Sequence, residues 1–287
     1  MISPTATSDT AAIGRPALEL GGKVAIVTGA GRMRSIGRRI ATTLAAAGAS
    51  VVVTGSGRPV HTYPDDERAA GWRDVESVAD EIRALGGQAL ATVTDISDQN
   101  SVDRLIADTI EAFGRLDILV NNAAMSRGAD RTPVVDLTLE TFRKVYAINV
   151  EGTFLMSQAA ARTMLAQNTG GNIINISTVA TRTAGPRLGA YASSKAAINA
   201  LGRVMAMELA ADNIRVNTIC PGFNDTSRLD DLPRDASFDR MVKDMVPLGW
   251  ADDGTQVAEL TLFLASERAR WITGQTLMAD GGRVWGQ

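Results

Sequence analysis

The chain has 287 residues, with 29 Lys and Arg against 32 Asp and Glu, a formal net charge of -3, 45% hydrophobic residues, 5% aromatic residues and 27 glycines. That charge argues against a nucleic-acid or anionic-membrane surface, and a single cysteine, Cys220, excludes an intrachain disulfide or a thiolate metal cluster. No apolar run approaches the ~20 residues needed to cross a bilayer, and the start lacks the basic-then-apolar order of a secretory leader, so the expectation is a cytoplasmic protein built as one large α/β layer structure.

Residues 1–20 are rich in Thr, Ser, Ala and Pro without periodicity and read as a flexible tail, leaving 21–287 as one domain. Residues 23–28 form a buried-strand pattern, followed by the glycine turn Gly29-Ala30-Gly31-Arg32-Met33-Arg34-Ser35-Ile36-Gly37 and an Ala-rich helix up to Gly48. Strand, glycine turn and helix together make a phosphate cradle. Glycines let the backbone approach a pyrophosphate, and free N–H groups with the helix dipole receive its charge. Residues 50–54 are the next strand. An acid after it would accept from both ribose hydroxyls, but the chain offers Gly55-Ser56-Gly57-Arg58. With Arg32 and Arg34 nearby, Arg58 provides a cationic fork suited to a 2′-phosphate, which favours NADP over NAD. Residues 59–72 read as irregular and hold the only histidine, His61, so no metal site is expected.

Helical spacing resumes over 74–85, and a third strand over 89–93 ends at Thr94-Asp95-Ile96. Asp95 there suits either an adenine amino group or the cap of the helix that opens near Gln99. Residues 116–120 lead into Asn121-Asn122-Ala123-Ala124, amides able to tie neighbouring strands and alanines small enough to let a ribose pass. A helix from Leu139 carries Asn149, an amide in an apolar setting that must find partners. Residues 172–176 form a fifth strand ending in Ser177-Thr178. Tyr191 and Lys195 then lie four apart at a helix start and face the same side. A cation ~4 Å from a phenol, at an effective dielectric of ~20, favours the phenolate by ~4 kcal/mol, which makes the two a candidate acid/base pair.

Taken in order, Thr28-Gly29 with Ile36-Gly37, Asn121-Asn122-Ala123-Ala124, Asn149, the Ser177-Thr178 hydroxyls and Tyr191 with Lys195 resemble the short-chain dehydrogenase/reductase family over about residues 20–282. The resemblance implies a doubly wound Rossmann fold with a seven-stranded parallel sheet and a nicotinamide cofactor. It implies reversible hydride transfer between that cofactor and a secondary alcohol or ketone, with Tyr191 exchanging the proton. Lys195 would hold the ribose and favour the phenolate, and Asn149 a water linking Lys195 to solvent. Pro221-Gly222 after the 214–219 strand would lie by the nicotinamide, and Thr226 would bind the cofactor. Residues 227–250 mix apolar and acidic side chains and would form a substrate lid. The strand within 271–282 implies a homotetramer.

Two departures from the family pattern stand out. The glycine turn is two residues longer than the family's T-G-x-x-x-G-x-G, with Ser35 where the middle glycine would be. A longer loop resembles the enoyl reductase branch, which spaces its Tyr and Lys seven apart, whereas this chain keeps four. The family's catalytic serine aligns with Thr178, and Ser177 is the alternative. An enoyl-thioester reductase and a non-catalytic NAD(P)-sensing regulator are the competing readings. Arg127, Arg131, Arg182, Arg187 and Arg228 fall on loops expected to rim the pocket, which raises an anionic substrate as a hypothesis.

Overall fold

A computed structural model of the chain describes residues 19–284. Most of the expected tail, residues 1–18, and the last three residues of the expected domain lie outside the described residues. Leu20, placed in the tail from sequence, belongs instead to the body. It is buried, and its N–H donates to the Ala47 carbonyl at 2.8 Å.

Seven strands form the sheet: β1 (Val24–Thr28), β2 (Ser50–Gly55), β3 (Ala89–Val93), β4 (Ile118–Asn121), β5 (Gly171–Ile176), β6 (Ile214–Pro221) and β7 (Thr276–Ala279). Their order is β3-β2-β1-β4-β5-β6-β7, and every neighbouring pair is parallel. Helices α1 (Ile36–Ala46), α2 (Asp65–Ala69), α3 (Val75–Ala84), α4 (Gln99–Phe113), α5 (Leu139–Tyr146), α6 (Gly152–Gln167), α7 (Ala180–Thr183), α8 (Gly189–Leu209), α9 (Ala236–Met245) and α10 (Thr255–Ala265) complete it.

Both faces of the sheet are covered, which is why the strands read as continuous apolar runs. Ala25 and Val27 pack with Leu44 of α1, Ile82 of α3 and Leu264 of α10. Ile26 and Val52 face the other layer, with Leu105 of α4, Met156 of α6 and Ala206 of α8. The order in which successive strands are added reverses between β1 and β4, so their carboxyl ends open a crevice, the place where such sheets bind ligands. No helix among the described residues is long and apolar enough to cross a membrane.

Three local features matter for the site. The 59–72 segment is not irregular throughout, because it holds a 3-10 turn at Val60–Thr62 and then α2. Pro64 at the cap and Asp65, Asp66 and Glu67 in the first turn favour that helix start. The Trp72 indole pins the segment to the glycine turn by donating to Gly31 O at 2.7 Å. Between α5 and α6 the backbone widens into a π turn, Ala147–Glu151, with Asn149 inside it. Beyond β6, after a 3-10 turn Ser227–Leu229, α9 packs around its own apolar cluster, Phe238, Val242 and Val246, apart from both sheet layers.

Candidate active site

A cleft of about 650 Å³ opens over the carboxyl ends of β1 and β4. Its floor depends on close backbone packing. A Cβ on Gly29 would stand 2.6 Å from Ala123 Cα, and one on Gly37 would stand 2.5 Å from Asn122 Nδ2. Ser35 caps α1, its Oγ accepting from the Arg38 N–H at 3.2 Å. The N–H groups of Ile36 and Gly37, at the start of α1, have no partner within their own helix, and both residues line the cleft. This donor set, beside the small Ala123 and Ala124, fits a dinucleotide diphosphate.

The paired amides act as expected. Asn121 Nδ2 donates to Asn175 Oδ1 and Ser157 Oγ, while Asn122 Nδ2 donates to the Thr28 and Gly29 carbonyls. These bonds tie β4 to β5 and to β1.

On the far side of the cleft, Arg58 is present but already engaged. Its Nη2 meets Glu67 at 3.0 Å, its Nε meets Asp74 at 3.2 Å, and its guanidinium lies 4.5 Å over the Tyr63 ring. Only Nη1, buried, has no hydrogen-bond partner. Asp74, not singled out from sequence, lines the cleft just before α3 and holds a left-handed backbone, φ 54. A Cβ added to Gly31 would come within 1.2 Å of Asp74 Oδ1, so this acid presses on the glycine turn. Asp95 and Ile96 also line the cleft. Asp95 takes Ser97 N at 2.9 Å, and the cap of α4 is Asp98, which accepts from Ser101 N, so the capping alternative for Asp95 falls.

Arg34 joins three segments above the cleft. Its guanidinium meets Asp66 of α2 at 2.8 Å and Asp230 beyond β6 at 2.5 Å, while its carbonyl accepts from both N and Oγ of Ser227.

Tyr191 and Lys195 sit one turn apart in α8, behind the cleft's lining and not part of it. Lys195 is 2% exposed, and its Nζ donates to Ile176 O at 2.8 Å. Burial first and the nearby positive Arg228 second bring its ammonium down to about 7. Thr178 is half-buried, and its Oγ1 accepts from Ala180 N at 3.2 Å, which leaves the hydroxyl hydrogen available. Ser177 is buried and turned away, its Oγ donating to Lys195 O at 3.3 Å. Asn149 is fully buried. Its Oδ1 accepts from Met125 N and its Nδ2 donates to Ser194 Oγ, so its side chain positions the residue before Lys195.

Pro221 ends β6, and Gly222 follows so close to the last strand's end that a Cβ there would stand 2.5 Å from Asp280 Cα. Thr226 lines the cleft. Of the five loop arginines, Arg127, Arg131 and Arg228 line the cleft. Arg182 and Arg187 are exposed on the 180–188 stretch and do not.

A family model described as enoyl-(acyl carrier protein) reductase matches residues 29–283. The 7alpha-hydroxysteroid dehydrogenase of Escherichia coli (strain K12) is 38% identical, the match covering 93% of this chain and 96% of its own. The solved structure of a 7 alpha-hydroxysteroid dehydrogenase complexed with NADH and 7-oxo glycochenodeoxycholic acid aligns with a TM-score of 0.80 at 37% identity, covering 94% of this chain and 97% of that one. A short-chain type dehydrogenase/reductase from Mycobacterium marinum aligns with a TM-score of 0.80 at 32% identity, covering 94% and 98%.

Proposed function

The chain belongs to the short-chain dehydrogenase/reductase family and is an NAD(P)-dependent oxidoreductase acting on alcohol or carbonyl groups, and on that premise we propose which of its residues carry the reaction. The observation that carries the assignment is Lys195, buried one helical turn from Tyr191 with its Nζ fixed on the end of β5.

Bound in the cleft, the cofactor supplies the hydride acceptor or donor. Tyr191 takes the hydroxyl proton when the alcohol carbon loses its hydride and returns it in reduction. Lys195, its ammonium brought down to about 7, carries its charge below neutrality and reaches the ribose. Thr178 donates its free hydroxyl hydrogen to the substrate oxygen and stabilises charge developing there. Ser177 is the weaker candidate because its hydroxyl is committed to the α8 backbone. Asn149 sets the position of α8 through Ser194 and, from within its π turn, would hold a water between Lys195 and solvent. Ile36, Gly37 and Thr226 are the diphosphate contacts. Pro221 and Gly222 face the nicotinamide.

For the cofactor's form, we infer NAD(H). Asp74 is an acid at the edge where the adenosine ribose would lie, suited to accept its hydroxyls and repel a 2′-phosphate. Of Arg32, Arg34 and Arg58, on which the sequence expectation of NADP(H) rests, Arg34 is held by two carboxylates and so is Arg58. Its unpartnered Nη1 is the observation that favours NADP(H). Titrating the protein with NADH and NADPH while following nicotinamide fluorescence tests this: tighter NADH binding is expected, and tighter NADPH binding would return the ribose site to Arg58.

An enoyl reductase is the second reading, favoured by the description of the matching family model. The four-residue spacing of Tyr191 and Lys195 opposes it. Turnover of a crotonyl thioester with failure on every alcohol and ketone would decide for it. Residues 227–250 as a substrate lid, a homotetramer and a cytoplasmic location complete the proposal. A homotetramer is testable by light scattering and is supported by β7 lying at the sheet edge near Trp271, which is 96% exposed.

A further inference from the structure

Two arginines from distant parts of the chain converge on the acid/base tyrosine. Arg131, on the loop between β4 and α5, places its guanidinium carbon 4.5 Å over the Tyr191 ring. Arg228, in the 3-10 turn after β6, places its own at 5.0 Å. Both line the cleft, so at this end the wall is made of guanidinium groups with Tyr191 behind them.

Neither cation is saturated. Arg131 Nε and Arg228 Nη2 are buried and have no hydrogen-bond partner. The acid nearest Arg131 is Asp130, whose Oδ2 stands 3.5 Å from Nε and whose Oδ1 is taken by the Gly128 N–H. Arg127, the third cation here, is paired with Asp231 at 2.8 Å. Among the described residues no carboxylate pairs with Arg228, so one guanidinium of the three has no counter-ion in contact. Leaving buried guanidinium nitrogens unpartnered is costly. A planar anion that accepts from both removes the cost, and a carboxylate matches that fork geometry.

We propose that the substrate is a short hydroxy acid, or the matching oxo acid, whose carboxylate sits one or two bonds from the reacting carbon and is held by Arg131 and Arg228. The short spacing follows from both guanidinium groups stacking on the very ring whose hydroxyl exchanges the proton. The diphosphate of the cofactor is not the anion meant, because the start of α1 receives it. This inference rests on the hydride-transfer reading of the same site and deepens it by naming the substrate class.

The test pairs oxo acids with their methyl esters, pyruvate and acetoacetate first, in turnover with the preferred cofactor and in thermal shift with that cofactor bound. The acids are expected to exceed their esters by tenfold to about a hundredfold in kcat/KM and to raise the melting temperature where the esters do not. Arg228→Met is expected to raise KM for the acid about tenfold or more while the dinucleotide Kd, read by fluorescence, stays within about twofold. Arg228→Lys, which keeps the charge without the fork, recovers part of the loss and guards against a folding defect. Equal turnover of acids and esters, or a shift in dinucleotide Kd in place of KM, overturns the proposal. So does the absence of any acid-specific thermal shift. Turnover of neutral ketones such as cyclohexanone with no response to acids removes the anion site and leaves the oxidoreductase reading standing. Acid-specific thermal shifts without turnover of any compound do the reverse.

Discussion

Lys195 reaches from the start of α8 to the last residue of β5, where its Nζ donates to the Ile176 carbonyl at 2.8 Å. The ammonium is thereby fixed at the end of β5 on a side chain that is 2% exposed, which gives it a measurable effect on stability. Below about pH 7 the group is protonated in both folded and unfolded chains, and the full cost of its burial is felt. Between about 7 and 10.5 the unfolded chain holds a proton that the folded one has shed. Stability should therefore rise with pH through that window, by about 1.4 kcal/mol per pH unit. Urea unfolding at pH 7 and pH 9 of wild type and Lys195→Met checks it: the variant should lack this component of the rise, and parallel profiles would contradict it.

Replacing Tyr191 with Phe removes the proton exchange and little else in the fold. Turnover is expected to fall by about 10²- to 10⁴-fold, with dinucleotide affinity nearly intact by fluorescence titration. Undiminished turnover would end the proposed mechanism.

The neighbouring hydroxyls should behave differently. Thr178→Ala removes the donor to the substrate oxygen, with an expected loss of about 10²-fold in kcat and little change in melting temperature. Ser177→Ala breaks a buried bond to the α8 backbone. Its effect is expected mainly in stability, about 1 kcal/mol. A larger kcat loss in the Ser177 variant would exchange the two roles.

Gly31→Ala tests the acid at the glycine turn. The added methyl would overlap Asp74 Oδ1, an atom on a carboxylate that Arg58 holds in place. Dinucleotide affinity is expected to fall at least tenfold, together with the melting temperature. Asp74→Asn, which removes the charge without the collision, should narrow any preference for NADH over NADPH. Affinities unaltered in both variants would take Asp74 out of the cofactor site.

The strands were legible because a sheet covered on both faces demands unbroken apolar runs, and the glycine turn, paired amides and Tyr-Lys step lie at strand ends that the sheet brings together. The acid that abuts the glycine turn, Asp74, was not legible. Sequence reasoning looks for it directly after β2, and here it arrives after the whole 56–73 segment, on a residue with a left-handed backbone that no pattern announces. Nor was α2, whose residues DDERA carry no apolar stripe. Loop arginines look alike in sequence. What separates Arg131 and Arg228 from Arg182 and Arg187 is which loops turn inward over the first turn of α8, a tertiary fact. Asn149 was readable as a satisfied core amide, but its partners, Met125 N and Ser194 Oγ, come from elements far away in the chain.

Arg34 bears on the speed of ligand exchange as well as on shape. The glycine turn, α2 and the segment after β6 meet at this one residue, so moving any of them away from the cleft's rim requires those links to part. Two of the links are half-exposed ion pairs that salt weakens, and the third is a pair of hydrogen bonds from Ser227 to a backbone carbonyl that salt leaves alone. Raising ionic strength is thus expected to hasten arrival and departure together, shortening residence time in stopped flow well before it alters the equilibrium constant.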